Sequence, residues 1–335
     1  MTKPHPHLFA PLRRRSSMAR CGRPLGLALA LGAMLGGVAA PVQAAETFSA
    51  RDLIQGTTMT AAQCSGLGQA VFVTVAGDGI CIRYYTGGEA LKGREAVVFF
   101  NGDALGTDGH GNLKADPGYL TGAPRYLDIA AGVWTRRLKT PVIFFARMGM
   151  HGSSGWHGNR RTRLEIEVTR AALDAIKAKE GLTGFHLVGQ SGGGILAEAV
   201  AAARDDVGCA VIASAPLDFA LFAKTFGITI RREGKRAHWD PAGDVTALAA
   251  KADLRLIVMN DPNDKVVPPE SEANFIAKLA AAGKKVLHIE TAARGGEHHS
   301  LTEKALFSAG LCIAGAPDDS IASVYGGTGP DDLPK

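Results

Sequence analysis

Eight short apolar runs, rich in Val, Ile and Phe, recur along the chain at residues 71–75, 81–85, 96–100, 142–146, 185–188, 209–213, 254–259 and 286–289. Several are apolar throughout rather than alternating, the pattern of strands buried on both faces. Between them the spacing turns helical. Residues 164–179 carry Ile166, Val168, Ala172, Leu173 and Ile176 on one face, and Gly181 follows as a C-terminal cap. Helices are likewise predicted over 195–204, over 271–282 before Gly283, and over 301–311. Strand and helix in alternation predict an α/β class domain at about 45–313, a mostly parallel eight-stranded sheet with helices on both faces.

Three segments break the alternation. Residues 103–135 are polar and glycine-rich and read as a long loop. Residues 219–244 carry Arg231, Arg232, Lys235, Arg236 and Trp239, and read as a small cap-like insertion at about 217–246. From Ala314 to Lys335 the chain is rich in Gly, Pro and Asp and reads as a flexible C-terminal tail.

The first 44 residues stand apart. Arg13, Arg14, Arg15, Arg20 and Arg23 precede a Leu-, Ala- and Gly-rich run over 25–40, and Val42-Gln43-Ala44 supplies small residues for cleavage before Ala45. This is the three-part pattern of a secretory signal, too short and glycine-rich for a comfortable membrane span. Met18 to Ala44 is a complete signal by itself. The arginines hint at twin-arginine export, but Ser16-Ser17 argues against it. The leader holds six of the 37 basic residues and none of the 32 acidic ones, so 31 and 32 remain. The basic pI belongs to the leader, and nucleic acid loses its support as a partner.

Cys64, Cys81, Cys209 and Cys312 remain after the leader is removed. An even count in an exported chain suggests disulfides. Four cysteines allow three pairings. Cys64 with Cys81 and Cys209 with Cys312 is the favoured one, isolated buried thiols being the alternative for the second pair. No C-x-x-C or C-x-x-H spacing suggests zinc, and His110, His151, His157 and His238 show no metal-ligand spacing.

Gly189-Gln190-Ser191-Gly192-Gly193 lies where the 185–188 strand should meet the helix opening at Gly194. In a chain with 42 glycines the bare G-x-S-x-G pattern has little weight, but its place at a strand-to-helix turn has much. Such a turn lifts a serine hydroxyl above a sheet and aims a helix N-terminus at developing negative charge. In this it resembles the nucleophile turn of α/β-hydrolases, a likeness spanning about residues 71–311.

That resemblance implies Ser191 as nucleophile, then an acid and a base in that chain order. Asn260-Asp261-Pro262-Asn263-Asp264-Lys265-Val266-Val267-Pro268 offers two carboxylates. Asp264 resembles the D-x-V-V-P arrangement of the superfamily and is favoured; Asp261 is read as holding the turn. Gly295-Gly296-Glu297-His298-His299-Ser300-Leu301 offers two imidazoles, and His299 is favoured over His298 because it precedes Ser300-Leu301 as in the family's H-S-L ending. The oxyanion hole is expected at the backbone amides of Gly192 and Asp103, with Asn101 where the family often has His. Arg147 to Gly155, followed by Arg160-Arg161, also looks like a loop of secreted hydrolases related to the prolyl-oligopeptidase catalytic domain. The two arginines either bind a substrate carboxylate or pair with acids.

The resemblance implies a cofactor-free hydrolase of carboxylic esters, exported or periplasmic, acting on a small-molecule ester or peptide. A serine peptidase, an acyltransferase and a non-catalytic binding protein are the alternatives.

Overall fold

The computed structural model describes residues 47–108, 110–326, 329, 331 and 332; the proposed leader, residues 1–44, lies outside them. Each of the eight predicted strands is present with boundaries moved by at most three residues: β1 (Ala70–Val75), β2 (Asp78–Tyr85), β3 (Glu95–Phe100), then, after a two-stranded hairpin of β4 (Leu105–Thr107) and β5 (Leu113–Ala115), β6 (Val142–Phe145), β7 (Gly184–Gln190), β8 (Val207–Ala213), β9 (Arg255–Asn260) and β10 (Leu287–Glu290). They form one sheet in the order β1-β2-β6-β3-β7-β8-β9-β10. β2 runs antiparallel to β1 and to β6, and every pairing from β6 to β10 is parallel.

Alternate side chains of the central strands enter opposite cores. Val98 and Phe100 join one apolar cluster with helices α5 (Arg163–Glu180), α6 (Gly192–Ala203), α8 (Thr246–Ala249) and α9 (Pro269–Ala281). Val97 and Phe99 join the other with α4 (Pro124–Leu138), α10 (Thr302–Ile313) and α11 (Asp318–Ser323). Two covered faces explain why the strands read as continuous apolar runs. Thr162 caps α5 by accepting from Glu165 N–H, and Gly181 ends it at φ 67°.

The segment expected as a long loop is built instead of the β4–β5 hairpin, a short α3 (Pro117–Leu120) and the fifteen-residue α4. α4 starts on Pro124 and buries only Ala131, Gly132, Trp134 and Thr135, so its apolar stripe is thin in sequence. Tyr126, Ile129 and Val133 lie on its exposed side and blur the periodicity further. Two short helices, α1 (Ala50–Gln55) and α2 (Ala61–Ser65), precede the sheet.

The expected loose tail also needs correction. After Ala314 the chain forms α11, burying Ile321 and Tyr325. Asp318 anchors it by accepting from Arg255 Nη2 at 2.7 Å and pairing with Lys285 Nζ at 2.6 Å. Both disulfides form as paired in the sequence reading. Cys64–Cys81 staples α2 to β2, and Cys209–Cys312 staples β8 to α10. Among the described residues no helix is long and apolar enough to cross a membrane.

Candidate functional site

Ser191 joins β7 to α6 at φ 56° and ψ −126°, a backbone conformation that L-residues rarely adopt. Its N–H donates to Ala213 O at 2.8 Å, and its carbonyl accepts from Gly194 N–H at 2.8 Å, so the bend is held from both sides. The turn has no room for a side chain at its outer glycine positions. A Cβ on Gly189 would lie 2.4 Å from Gly193 O, and one on Gly193 would lie 2.2 Å from Phe100 O. The glycines of the motif are therefore a packing requirement, and they bring the loop after β3 against the serine. A Cβ on Gly102 would fall 3.2 Å from Ser191 Cβ. Gly192, first residue of α6, has an N–H without an intrahelical acceptor. The N–H of Asp103 makes no hydrogen bond among the described residues.

The loops after β9 and β10 carry the predicted acids and bases, and each imidazole has its own carboxylate. His299 Nδ1 meets Asp264 Oδ2 at 2.8 Å, with the Asp264 side chain 1% exposed. The other oxygen, Asp264 Oδ1, accepts from the Val266 and Val267 amides at 2.8 and 3.0 Å, which fixes the carboxylate plane. His298 Nδ1 meets Asp261 Oδ2 at 3.1 Å, but that imidazole is 42% exposed and its residue sits at φ 52°. Asp261 also accepts from Asn263 N–H and from Ala293 N–H, tying the two loops together. Hydrogen bonds from these donors outweigh the upward push of burial and hold Asp261 below the usual carboxylate range.

Gln190 supplies a link that the sequence reading passed over. Its Nε2 donates to His299 O at 2.9 Å, and its Oε1 accepts from Leu301 N–H at 3.0 Å. One amide thus clamps both sides of the histidine segment to the residue before Ser191. Gln190 fills the first variable position of G-x-S-x-G, and an amide that both donates and accepts is the available sequence signal there.

The second oxyanion candidate brings a charge cluster with it. Asp103 Oδ1 accepts from Arg147 Nη1 at 2.8 Å, and its Oδ2 lies 3.4 Å from Arg160 Nε and 3.2 Å from Arg161 Nε. Arg147 is wholly buried, forked onto Glu165 at 2.9 and 3.1 Å, and donates to Asn101 O at 3.0 Å. Burial alone would raise Asp103, but Arg161, Arg147 and Arg160 override it and hold the carboxylate ionised, well below its usual range. Burial, reinforced by Arg147, keeps His157 neutral beside them. Because a Cβ on Gly192 would fall 2.2 Å from Asp103 Oδ1, this carboxylate lies against the first turn of α6. Without the arginines its charge would oppose any oxyanion forming there.

The segment 217–246 contains α7 (Phe219–Thr225) and packs on α6. Trp239 Nε1 donates to Glu198 Oε2 at 2.8 Å. Among the described residues no group of His, Cys, Asp and Glu is placed to hold a metal ion. His151 and His238 are pushed down to about 4, burial being the larger cause for each and arginines the smaller.

No family model and no curated protein matches the chain. Among solved structures it is similar to an esterase of Pyrococcus furiosus, with TM-score 0.43 and 13% identity over 68% of this chain and 83% of that one. It is also similar to Est1E from Butyrivibrio proteoclasticus, solved with ferulic acid bound (TM-score 0.47, 14% identity, 73% and 98% covered). A third is puromycin hydrolase, with TM-score 0.49 and 18% identity over 74% of this chain and 39% of that one. The order of the eight strands, the antiparallel β2 and the strand-to-helix turn at Ser191 stand independently of these likenesses, and by them the chain has the α/β-hydrolase fold.

Proposed function

We propose that the protein is a serine hydrolase of carboxylic esters, with Ser191 as nucleophile, His299 as general base and Asp264 as the group that orients it. The observation that carries this reading is the shared clamp: Gln190 fastens the His299 segment to the turn bearing Ser191. Asp264 accepts from His299 Nδ1, which leaves Nε2 as the basic nitrogen.

Ser191 Oγ attacks the ester carbonyl carbon while His299 Nε2 takes the hydroxyl proton. The C–O π electrons move onto the carbonyl oxygen, which the N–H groups of Gly192 and Asp103 receive. Collapse expels the alcohol, protonated by the His299 imidazolium, and leaves an acyl-serine. Water, deprotonated by the same nitrogen, attacks that acyl carbon; the acyl–Oγ bond breaks, the imidazolium returns its proton to Ser191 Oγ, and the acid is released. The strained Ser191 backbone supports the reading, since such strain persists where surrounding structure demands it. Two disulfides fit folding in an oxidising compartment, in keeping with export behind the proposed leader.

Mass spectrometry after a fluorophosphonate probe, alongside p-nitrophenyl acetate and butyrate turnover, tests this. A single adduct on Ser191 is expected. His299→Ala should lose about 10³-fold or more in kcat, as removal of a triad member does, and His298→Ala should stay within about threefold. Labelling without ester turnover would point to amide bonds instead. No adduct on folded protein would sink the hydrolase reading.

A further inference from the structure

Three guanidiniums and two carboxylates meet beside the Ser191 turn. Arg147 makes four hydrogen bonds, to both carboxylate oxygens of Glu165, to Asn101 O and to Asp103 Oδ1. Arg160 and Arg161 differ. Each has its Nε within 3.4 Å of Asp103 Oδ2, and neither side chain makes a hydrogen bond among the described residues. Only their Nε atoms are sealed from solvent; the side chains are 20% and 10% exposed. Asp103 and Glu165 offset two of the three positive charges, and His157 is neutral, so one cation is unmatched. Arg231 adds to the field: burial, then Arg236 and Arg160, push it down.

The cluster is also held rigidly. Arg161 sits at φ 60°, its N–H donates to Glu165 Oε2 at 2.6 Å, and its carbonyl accepts from Trp239 N–H at 2.9 Å. Its guanidinium lies 5.3 and 5.5 Å from the ring centroids of Phe219 and Phe222. The two sealed Nε donors have no hydrogen-bond acceptor, which is costly, while the terminal nitrogens stay open to a ligand from solvent. Arg161 borders an apolar wall, and both arginines face the side chain of Asp103, whose N–H is a proposed oxyanion donor.

We infer that Arg160 and Arg161 form a carboxylate-binding subsite beside Ser191, so that the substrates are esters bearing a carboxylate on an apolar body. This rests on the serine-hydrolase reading. The acceptor these arginines already face, Asp103, is a carboxylate, and the planar guanidinium fork matches that group's geometry. Phe222, half-buried and 5.5 Å from the Arg161 guanidinium, takes the apolar part. The chemistry at the ester is unchanged; the subsite orients the bond over Ser191.

The test is the ratio of kcat/KM for p-nitrophenyl hydrogen adipate over p-nitrophenyl hexanoate. 3-Acetoxybenzoate over phenyl acetate probes the leaving-group side. At least one ratio should exceed about tenfold, the size of one charge-assisted contact, and should fall several-fold between about 50 and 500 mM NaCl. Arg160→Gln should bring that ratio to about one, and Arg160→Lys should restore part of it. If Arg160→Gln does not fold, the lysine variant and the salt series on the native protein carry the same test. Ratios near one for both pairs, or a ratio indifferent to Arg160, overturn the subsite while a fluorophosphonate adduct on Ser191 leaves the hydrolase reading intact. No adduct and no turnover overturn both.

Discussion

Ser191, Gln190 and the two histidines show how much chemistry hangs on single side chains here. The histidines lie side by side in sequence, and each has a carboxylate within 3.1 Å, so pairing with an acid does not distinguish them. Burial and the Gln190 clamp do, and both favour His299. Gln190 reaches no substrate in the proposed mechanism and acts through the His299 backbone. Gln190→Ala should therefore lower kcat on p-nitrophenyl butyrate by about 10–100-fold, as small misplacements of a catalytic group do, with KM changed by no more than about twofold. A larger effect on KM than on kcat would count against the positioning role. Gln190→Glu retains an acceptor for Leu301 N–H but loses the donor to His299 O, so it should not rescue fully.

The joint between α6 and the 217–246 segment is set by one buried acid. Glu198 is fully buried, and burial, with Asp240 and Asp244 adding to it, raises the carboxyl to about 8 against the opposing hydrogen bond from Trp239. A folded-state value above the unfolded one means that this group's contribution is complete below about pH 4.5. That contribution is lost as pH rises towards 8, where a buried charge must form. Glu198→Gln keeps an acceptor for Trp239 Nε1 and removes the ionisation. Thermal unfolding followed from pH 4 to pH 9 should show the variant matching the native protein at the acid end. It should exceed it by several degrees at the alkaline end, each kcal/mol being worth about 2–4 °C. Parallel curves for the two proteins would show that Glu198 does not titrate in this window.

Across the whole molecule, the disulfides constrain very different lengths of chain. Cys64–Cys81 spans 17 residues and Cys209–Cys312 spans 103. On loop entropy alone the short bridge contributes about 3 kcal/mol and the long one nearly 5. The C209A/C312A variant should thus unfold at lower denaturant concentration than C64A/C81A, as read from paired urea curves. The opposite order would mean that the N-terminal staple supports packing beyond its own loop. The long bridge also joins β8, next to the Ser191 strand, to the helix that follows His299.

How far each feature was legible in sequence follows from the range of the interactions behind it. The central strands were legible because residues buried on two faces must be apolar throughout, and the Ser191 turn because close backbone contacts admit only glycine at positions 189 and 193. Asp264 and His299 were reached through resemblance to a known pattern, not through local physics. α4 and α11 stayed hidden because each buries only a few side chains, too sparse a stripe to mark a helix. What tertiary structure alone decided is which polar groups share a dielectric. Asp103 lies 44 residues before Arg147 and 88 before Ser191, and nothing local announces that its carboxylate meets three arginines beside that serine. Gln190 and His299 likewise are 109 residues apart until the sheet brings β7 and the last loop to one edge. Short-range packing writes itself into residue type and spacing, whereas electrostatics and hydrogen bonding across loops depend on where the folded chain puts each charge.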